Sequence, residues 1–501
     1  MKFLSFAIFL FLELFVILPS KNNAISQEEV KSILSYFQNE RNNFARTATH
    51  DNSLPHDLKC KLDQAIIDEI HSYQGVVNAI IELFTKGEFA GKTYEYLAEM
   101  TDTFGPRITG SQALEDAIDW VISTASSEGM TVYTENVTAP FFVRNEESLK
   151  MVKPRSANMK LIGLGSTVPT PNEGITADVL VVSSFDELTA LADKAVGKIV
   201  VYDVPFVTYG KTVEYRSRGA VEAAKVGAVA ALLRSVTTFS IDSPHTGTQF
   251  YSDNVPKIPA ACITIEDSTF MHRLQDRGER ITLHLYLGAQ NYENGTQTRN
   301  TIIEIEGSQN PEEIVVVSGH LDSWDVGVGA MDDGGGCFIS WMALRAIQKL
   351  NLTPRRTFRA ILFSAEEQGM YGGDAYFLAH GTQKENFQLM MESDFGTFKP
   401  HGIFFSGTDE ATCMMKEIVS LTALLGTTQL SSPADTPDLE TFGEVGVPRG
   451  SLMNENDHYI WYHHSSGDRI DVYNSTHLDE VAALWTAVSY VAADVTFFLP
   501  Q

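Results

Sequence analysis

From Thr301 onward the chain alternates short apolar runs with helical stretches, and that alternation narrows the fold to one architecture. Ile314-Val-Val-Val317 has the make-up of a buried strand and Phe338 to Leu350 reads as a helix. Phe358-Arg-Ala-Ile-Leu-Phe363 reads as a second strand, and Leu389-Met-Met391 as the centre of a third. Strands that alternate with helices build a mostly parallel sheet with helices on both faces, an α/β fold. In such sheets ligands bind beyond the carboxyl ends of the strands.

The residues at those ends carry chemistry. The first strand runs into Ser318-Gly-His-Leu-Asp322, followed by a glycine-rich turn, Gly327 to Gly336, that holds Asp332 and Asp333. The second ends in Ser364-Ala-Glu-Glu-Gln-Gly369, the third in Glu392-Ser-Asp394, and Tyr462-His-His-Ser-Ser-Gly-Asp468 lies far downstream. Imidazoles and carboxylates without a thiolate suit zinc or a similar divalent ion. Two histidines with several carboxylates exceed the three ligands of one catalytic zinc and fit a pair of ions bridged by a carboxylate. Other chemistries are missing: there is no Gly-x-Ser-x-Gly and no His-Glu-x-x-His. Gly91-Lys-Thr93 and Gly210-Lys-Thr212 lack the earlier glycine of a phosphate loop, since Lys86 and Pro205 stand there.

Composition removes further classes. The 501 residues carry 37 Lys+Arg against 64 Asp+Glu, a formal net charge of −27, and no basic stripe, which argues against nucleic-acid binding. A hydrophobic content of 44% supplies a large core. Cys60, Cys262, Cys337 and Cys413 are too few for a disulfide scaffold and leave room for one disulfide. Lys2, the apolar run Phe3 to Leu18 and the small and polar residues after it predict a cleavable secretory signal over 1–24, with no stable membrane span once it is removed. Behind a signal, the sequons at Asn136, Asn294, Asn351 and Asn474 become glycosylation sites. A polar amphipathic segment over 25–44 reads as an exposed helix or pro-segment. From about Met159 to Leu287 short β-rich runs surround the alanine-rich helix Ala220 to Ala231, which suggests an inserted strand-and-helix module.

Ser318-Gly-His-Leu-Asp-Ser-Trp-Asp325, Ala330-Met-Asp-Asp-Gly-Gly-Gly336, Ala365-Glu-Glu-Gln-Gly369, Met391-Glu-Ser-Asp394 and His463-His-Ser-Ser-Gly-Asp468 together resemble the M28 family of di-zinc metallopeptidases, from roughly residue 45 to the C-terminus. Arg234 to Gly247 resembles a protease-associated insert. The resemblance implies a zinc exopeptidase fold: a peptidase domain over 45–155 and 291–501, interrupted by a protease-associated-like α/β insert over 156–290. It implies two Zn2+ per chain, bridged by Asp332, with His320 and Asp394 completing one site and Glu367 and His464 the other. His464 is preferred over His463 because the family pattern puts Ser or Thr after the ligand and Asp four residues beyond it. Glu366 would be the general base; spacing alone does not divide the work between Glu366 and Glu367. Asp322 would orient the imidazole of His320, and Asp468 would support the ligand loop. An aromatic hydroxyl, Tyr459 or Tyr462, is a candidate to assist the oxyanion.

The function expected is a secreted or lysosomal metallo-exopeptidase that cleaves unblocked dipeptides and short peptides, with a homodimer implied by the resemblance. Alternatives on the same fold are an aminopeptidase on longer peptides, a mono-zinc cyclising enzyme, and a receptor-like binding protein that has lost its zinc ligands. The intact set of ligand types argues against the last.

Overall fold

The computed structural model describes residues 25–43 and 60–501. The expected signal at 1–24 lies outside them, as does residue 44, the last of the expected pro-segment. The remainder of that segment includes the helix Gln27–Asn43, which buries Ile25, Val30 and Leu34 against the body.

Two eight-stranded sheets organise the chain. The larger has the order Thr131–Val143, Gln290–Ile305, Arg356–Phe363, Asn310–His320, Phe387–Glu392, Arg449–Asn454, Pro400–Ser406, Gln429–Ser431. Its centre is parallel: Asn310–His320 pairs in parallel with both Arg356–Phe363 and Phe387–Glu392, and the last pairs in parallel with Arg449–Asn454. Antiparallel pairs flank this centre. The central strands are apolar on both sides because helices cover both faces. Val315, Val317, Phe358, Ala360, Leu389 and Met391 pack toward helices that include Gly335–Lys349 and Ser475–Asp494. The alternate residues Val316, Ile361 and Met390 face Tyr371–His380 and the N-terminal helix.

Register does the aligning. His320 pairs with Phe363 and Ser318 with Glu392, so the segments that follow all three strands emerge at one edge. The helix Gly335–Lys349 begins so close to that edge that no side chain fits. A Cβ on Gly336 would sit 2.0 Å from the Ser393 carbonyl and 2.4 Å from Asp333 Oδ2. Gly336→Ala is therefore expected to destabilise the protein by about 1–3 kcal/mol, seen as a lowered midpoint in thermal unfolding.

The second sheet has the order Ala157–Met159, Glu147–Lys153, Thr282–Leu287, Ile175–Val182, Ile199–Tyr202, Ala230–Arg234, Ala260–Ile263, Leu161–Gly163. It has its own apolar cores, one on either face. It takes in Glu147–Lys153, ahead of the boundary expected at residue 156. In that strand only Leu149 and Met151 point inward, so the run is too polar to stand out in the sequence. The chain leaves for this body and returns from it on one antiparallel ribbon, Thr131–Val143 against Gln290–Ile305, in which Val143 faces Gln290.

Cys60 and Cys413 form a disulfide, and Cys262 and Cys337 are buried free thiols. Among the described residues no helix is long and apolar enough to cross a membrane. Asn136, Asn294, Asn351 and Asn474 are all exposed. Asn474 also caps the helix Ser475–Asp494, its carbonyl oxygen accepting from the N–H groups of Thr476 and His477.

Candidate metal centre

Every sequence-predicted ligand reaches the shared edge. His320 ends its strand with its side chain fully buried, its Nε2 lying 3.1 Å from Asp394 Oδ1, 3.3 Å from Asp332 Oδ1 and 4.0 Å from Glu366 Oε2. His464 Nε2 approaches from the opposite side, 3.2 Å from Asp332 Oδ2 and 3.0 Å from Glu367 Oε2. Asp332 thus stands between two sets of donors, one oxygen turned to each.

The loops that carry these groups are held from beneath. Asp332 sits in the turn that starts at Gly329, whose φ of 57° lies in the left-handed region where glycine is least strained, and the Asp332–Asp333 peptide is cis. Asp468 accepts from the Met331 N–H at 2.7 Å and the Asp332 N–H at 3.2 Å, which fixes the backbone at Asp332. Asp322 lies beside His320, as expected, and makes further contacts. Its backbone carbonyl is the nearest acceptor to His320 Nδ1, at 2.9 Å, while the carboxylate lies 3.7 Å away. That carboxylate also accepts from the N–H groups of Glu366 and Glu367, at 3.2 and 3.3 Å, and so sets the two glutamates. Tyr459 is no free hydroxyl: it is buried and donates to the Asp394 carbonyl at 3.1 Å. Tyr462 is partly buried and packs against the core.

Sequence reasoning missed several contributors. Arg107, fully buried, donates to the carbonyls of Gly105, Leu321, Val328 and Gly329 and laces the loops after the first strand together. His463 stacks on His464, with ring centroids 3.6 Å apart, and its Nε2 lies 3.6 Å from Asp332 Oδ2. The inserted body also touches the centre: Thr246 and Arg216 meet His464, His245 meets the His463 carbonyl, and Thr248 donates to the Glu367 carbonyl. For His245 and Thr246 the one signal was the stretch Arg234 to Gly247, marked in the sequence as typical of the insert but not as part of the centre; Arg216 and Thr248 lie outside it.

The donor set fits divalent cations. Among the described residues, His320, Asp332 and Asp394 offer ligand atoms within 4.8 Å of one another, and so do Asp332, His463 and His464. Glu367 is the better third partner for the second group, because its carboxylate faces His464 directly at 3.0 Å while His463 lies on the ring face. Asp332 Oδ2 is buried with no hydrogen-bond donor, an orphan that a cation would satisfy.

Without metal, several buried carboxyl groups at and beside this edge are shifted upward. Burial pushes Asp438 up to about 8, Asp468 and Glu367 to about 7, and Asp394 to about 6. Burial would lower His464, but the Glu367 and Asp332 carboxylates outweigh it and raise the imidazole to about 9. Burial lowers His245 to about 4 and holds His463 well down. Raised carboxylates bind more protons folded than unfolded, so their effect on stability worsens as pH climbs from about 4 toward their folded values. The stabilisation from His464 is complete below its unfolded value of 6.5 and is lost as pH rises through 9. His245 and His463 act the opposite way, but only below 6.5. Above 6.5 the signs agree: the unfolding temperature of chelator-treated protein is expected to fall between pH 6.5 and 9. Zinc is expected to flatten that slope, measured by differential scanning calorimetry with and without the metal.

The sequence pattern of peptidase family M28 matches residues 300–489. Carboxypeptidase Q of Mus musculus is 48% identical over 437 residues, covering 87% of this chain and 93% of the relative. Carboxypeptidase Q of Homo sapiens is 48% identical over 439 residues with the same coverage. The crystal structure of a peptidase M28 precursor from Shewanella amazonensis SB2B superposes with a TM-score of 0.82 at 31% identity, covering 86% of this chain and 99% of that one. The zinc aminopeptidase BSAP of Bacillus subtilis shares the fold with a TM-score of 0.62 at 20% identity, over 81% of this chain and 96% of its own. At 48% identity to carboxypeptidase Q over most of its length, and with the fold of the M28 precursor, the chain belongs to peptidase family M28.

Proposed function

We propose that this peptidase is a zinc metallo-exopeptidase that hydrolyses unblocked dipeptides and short peptides, with two zinc ions held by His320, Asp332, Asp394, Glu367 and His464. The observation that carries the reading is the position of Asp332, with one oxygen toward each set of donors. Bound there, zinc supplies Lewis acidity for the scissile carbonyl and lowers the pKa of water toward neutrality.

The division of labour between the two glutamates follows from their surroundings. Glu367 is 2% exposed and faces His464, as a ligand does. Glu366 is 15% exposed, the most open of the group, and meets His320 only at 4.0 Å. Burial, opposed by His320 and reinforced by the Asp394 and Glu367 charges, holds its pKa well above the ordinary carboxylate value, which suits a group that must both take and give a proton. In this mechanism Glu366 takes the proton from the attacking water and returns it to the departing amine. Asp322 keeps the carboxylate in place through the Glu366 N–H.

The inserted body reaches the loops of the centre through Thr237, bonded to the Ile460 carbonyl, Thr238, bonded to Trp461, and Thr248, bonded to the Glu367 carbonyl, and in this reading its position decides between short and longer substrates. The Cys60–Cys413 disulfide supports a route through an oxidising compartment, in keeping with secretion or delivery to lysosomes. A homodimer belongs to the same reading and is tested by light scattering.

Metal analysis beside hydrolysis of a free dipeptide, its N-acetylated form and a longer peptide tests the proposal. Two zincs per chain with cleavage confined to the free dipeptide is the expected result. Trimming of the longer peptide from its amino end would make the protein an aminopeptidase. Absence of both zinc and cleavage, even after proteolytic trimming and zinc addition, would make it a binding protein on a peptidase scaffold.

A further inference from the structure

The two imidazoles that flank Asp332 are oriented from different places. His320 Nδ1 is held by the Asp322 carbonyl at 2.9 Å, two residues along its own loop. His464 Nδ1 has no such local partner; both groups near it belong to the inserted body, the carbonyl of Thr246 at 3.2 Å and Arg216 Nη1 at 3.4 Å, of which only the carbonyl can accept a proton. A histidine that presents Nε2 to a metal carries its proton on Nδ1, and the acceptor of that proton fixes the ring's tautomer and direction. The pairing is reciprocal, since the Thr246 N–H donates to the His464 carbonyl at 2.9 Å.

Thr246 is itself pinned. Its hydroxyl donates to the Gly163 carbonyl at 2.9 Å, and Arg216 Nη1 lies 3.2 Å from its carbonyl. The preceding residue, His245, is 2% exposed and places Nδ1 2.7 Å from the His463 carbonyl, while its Nε2 has no partner. Two consecutive residues of the insert therefore grip two consecutive residues of the ligand loop.

We infer that Thr246 and His245 are positioning residues for the metal ion bound through His464, so that docking of the inserted body and affinity at that one position are coupled. The inference rests on the two-zinc reading above. Coupling of this kind is reciprocal: zinc at the His464 position tightens the docking as much as docking tightens zinc.

Zinc titration of the full chain against a chromophoric chelator, with cobalt(II) absorption as a second readout, tests it. His245→Ala is expected to weaken one of the two positions by about 10–100-fold, the usual effect of removing support behind a ligand, and to leave the other unchanged. His245→Asn, whose amide nitrogen reaches the same carbonyl, is expected to restore binding. Thr246→Val, which removes only the anchor to Gly163, is a milder version that keeps the backbone pair and serves if His245→Ala does not fold. In a His464→Ala background neither substitution is expected to alter the remaining position. Equal weakening of both positions would mean that the insert contributes general stability only, and unchanged binding in both His245→Ala and Thr246→Val would mean it contributes nothing to the metal; either overturns the inference. Wild-type protein that takes up no zinc would overturn the two-zinc reading itself, and the inference with it.

Discussion

Glu366→Gln is expected to keep its full zinc content and to lose turnover by about 10²–10⁴-fold, the range that a positioned proton carrier contributes. The substitution is nearly isosteric, and its backbone N–H still donates to Asp322. The side chain stands 4.0 Å from His320 Nε2, farther than Asp332 or Asp394, so the closer contacts of that imidazole are kept. What disappears is the ability to accept a proton. Glu367→Gln makes the contrast, because it alters a group 3.0 Å from His464 and is expected to lower zinc affinity along with turnover. Elemental analysis together with dipeptide hydrolysis separates the two. Near-normal turnover of Glu366→Gln would remove Glu366 from the mechanism.

The largest loss of metal is expected at Asp332. Asp332→Ala removes the one carboxylate among the described residues that both imidazoles approach, at 3.3 Å from His320 and 3.2 Å from His464. Both zinc ions and all measurable hydrolysis should go. His464→Ala should cost one position and leave the one served by His320 and Asp394. A thermal readout follows by mass action, since each site occupied at 100 times its Kd adds about 2.7 kcal/mol to the folded state. Zinc should therefore raise the unfolding temperature of wild-type protein most, that of His464→Ala less, and that of Asp332→Ala not at all. An Asp332→Ala protein that retains two zincs would break the bridging assignment.

Much of this was legible in the sequence because the central strands are short, apolar and buried on both faces. Ile314 to Val317 and Phe358 to Phe363 announce themselves, and the polar residues that follow them have one sheet edge to go to. The strand Glu147–Lys153 did not stand out because half of its residues face solvent and only Leu149 and Met151 are inward apolar positions. The link between Cys60 and Cys413 spans 353 residues, and no spacing rule pairs cysteines over such a distance. Glu366 and Glu367 are equivalent on paper and become distinct only through exposure and the neighbour each one faces. Asp322 lies beside His320 and also accepts from the N–H groups of Glu366 and Glu367, contacts that a carboxylate near a histidine in sequence does not reveal. Thr246 and His245 were hidden for a more general reason: they act across a contact between two bodies, and nothing in a threonine or a histidine of one body states what it touches on the other.

The ribbon of Thr131–Val143 and Gln290–Ile305 makes the second body, topologically, the turn of a β-hairpin. Where Val143 faces Gln290, two residues would suffice to close the strands. The catalytic sheet is thus complete in hydrogen bonding without anything beyond that tip, and lengthening a closed loop costs entropy only logarithmically. A module accepted there needs no new core from its host and disturbs no strand order. The positions of His320, Asp332 and Asp394 at the sheet edge are set by the host strands and not by the length of that turn.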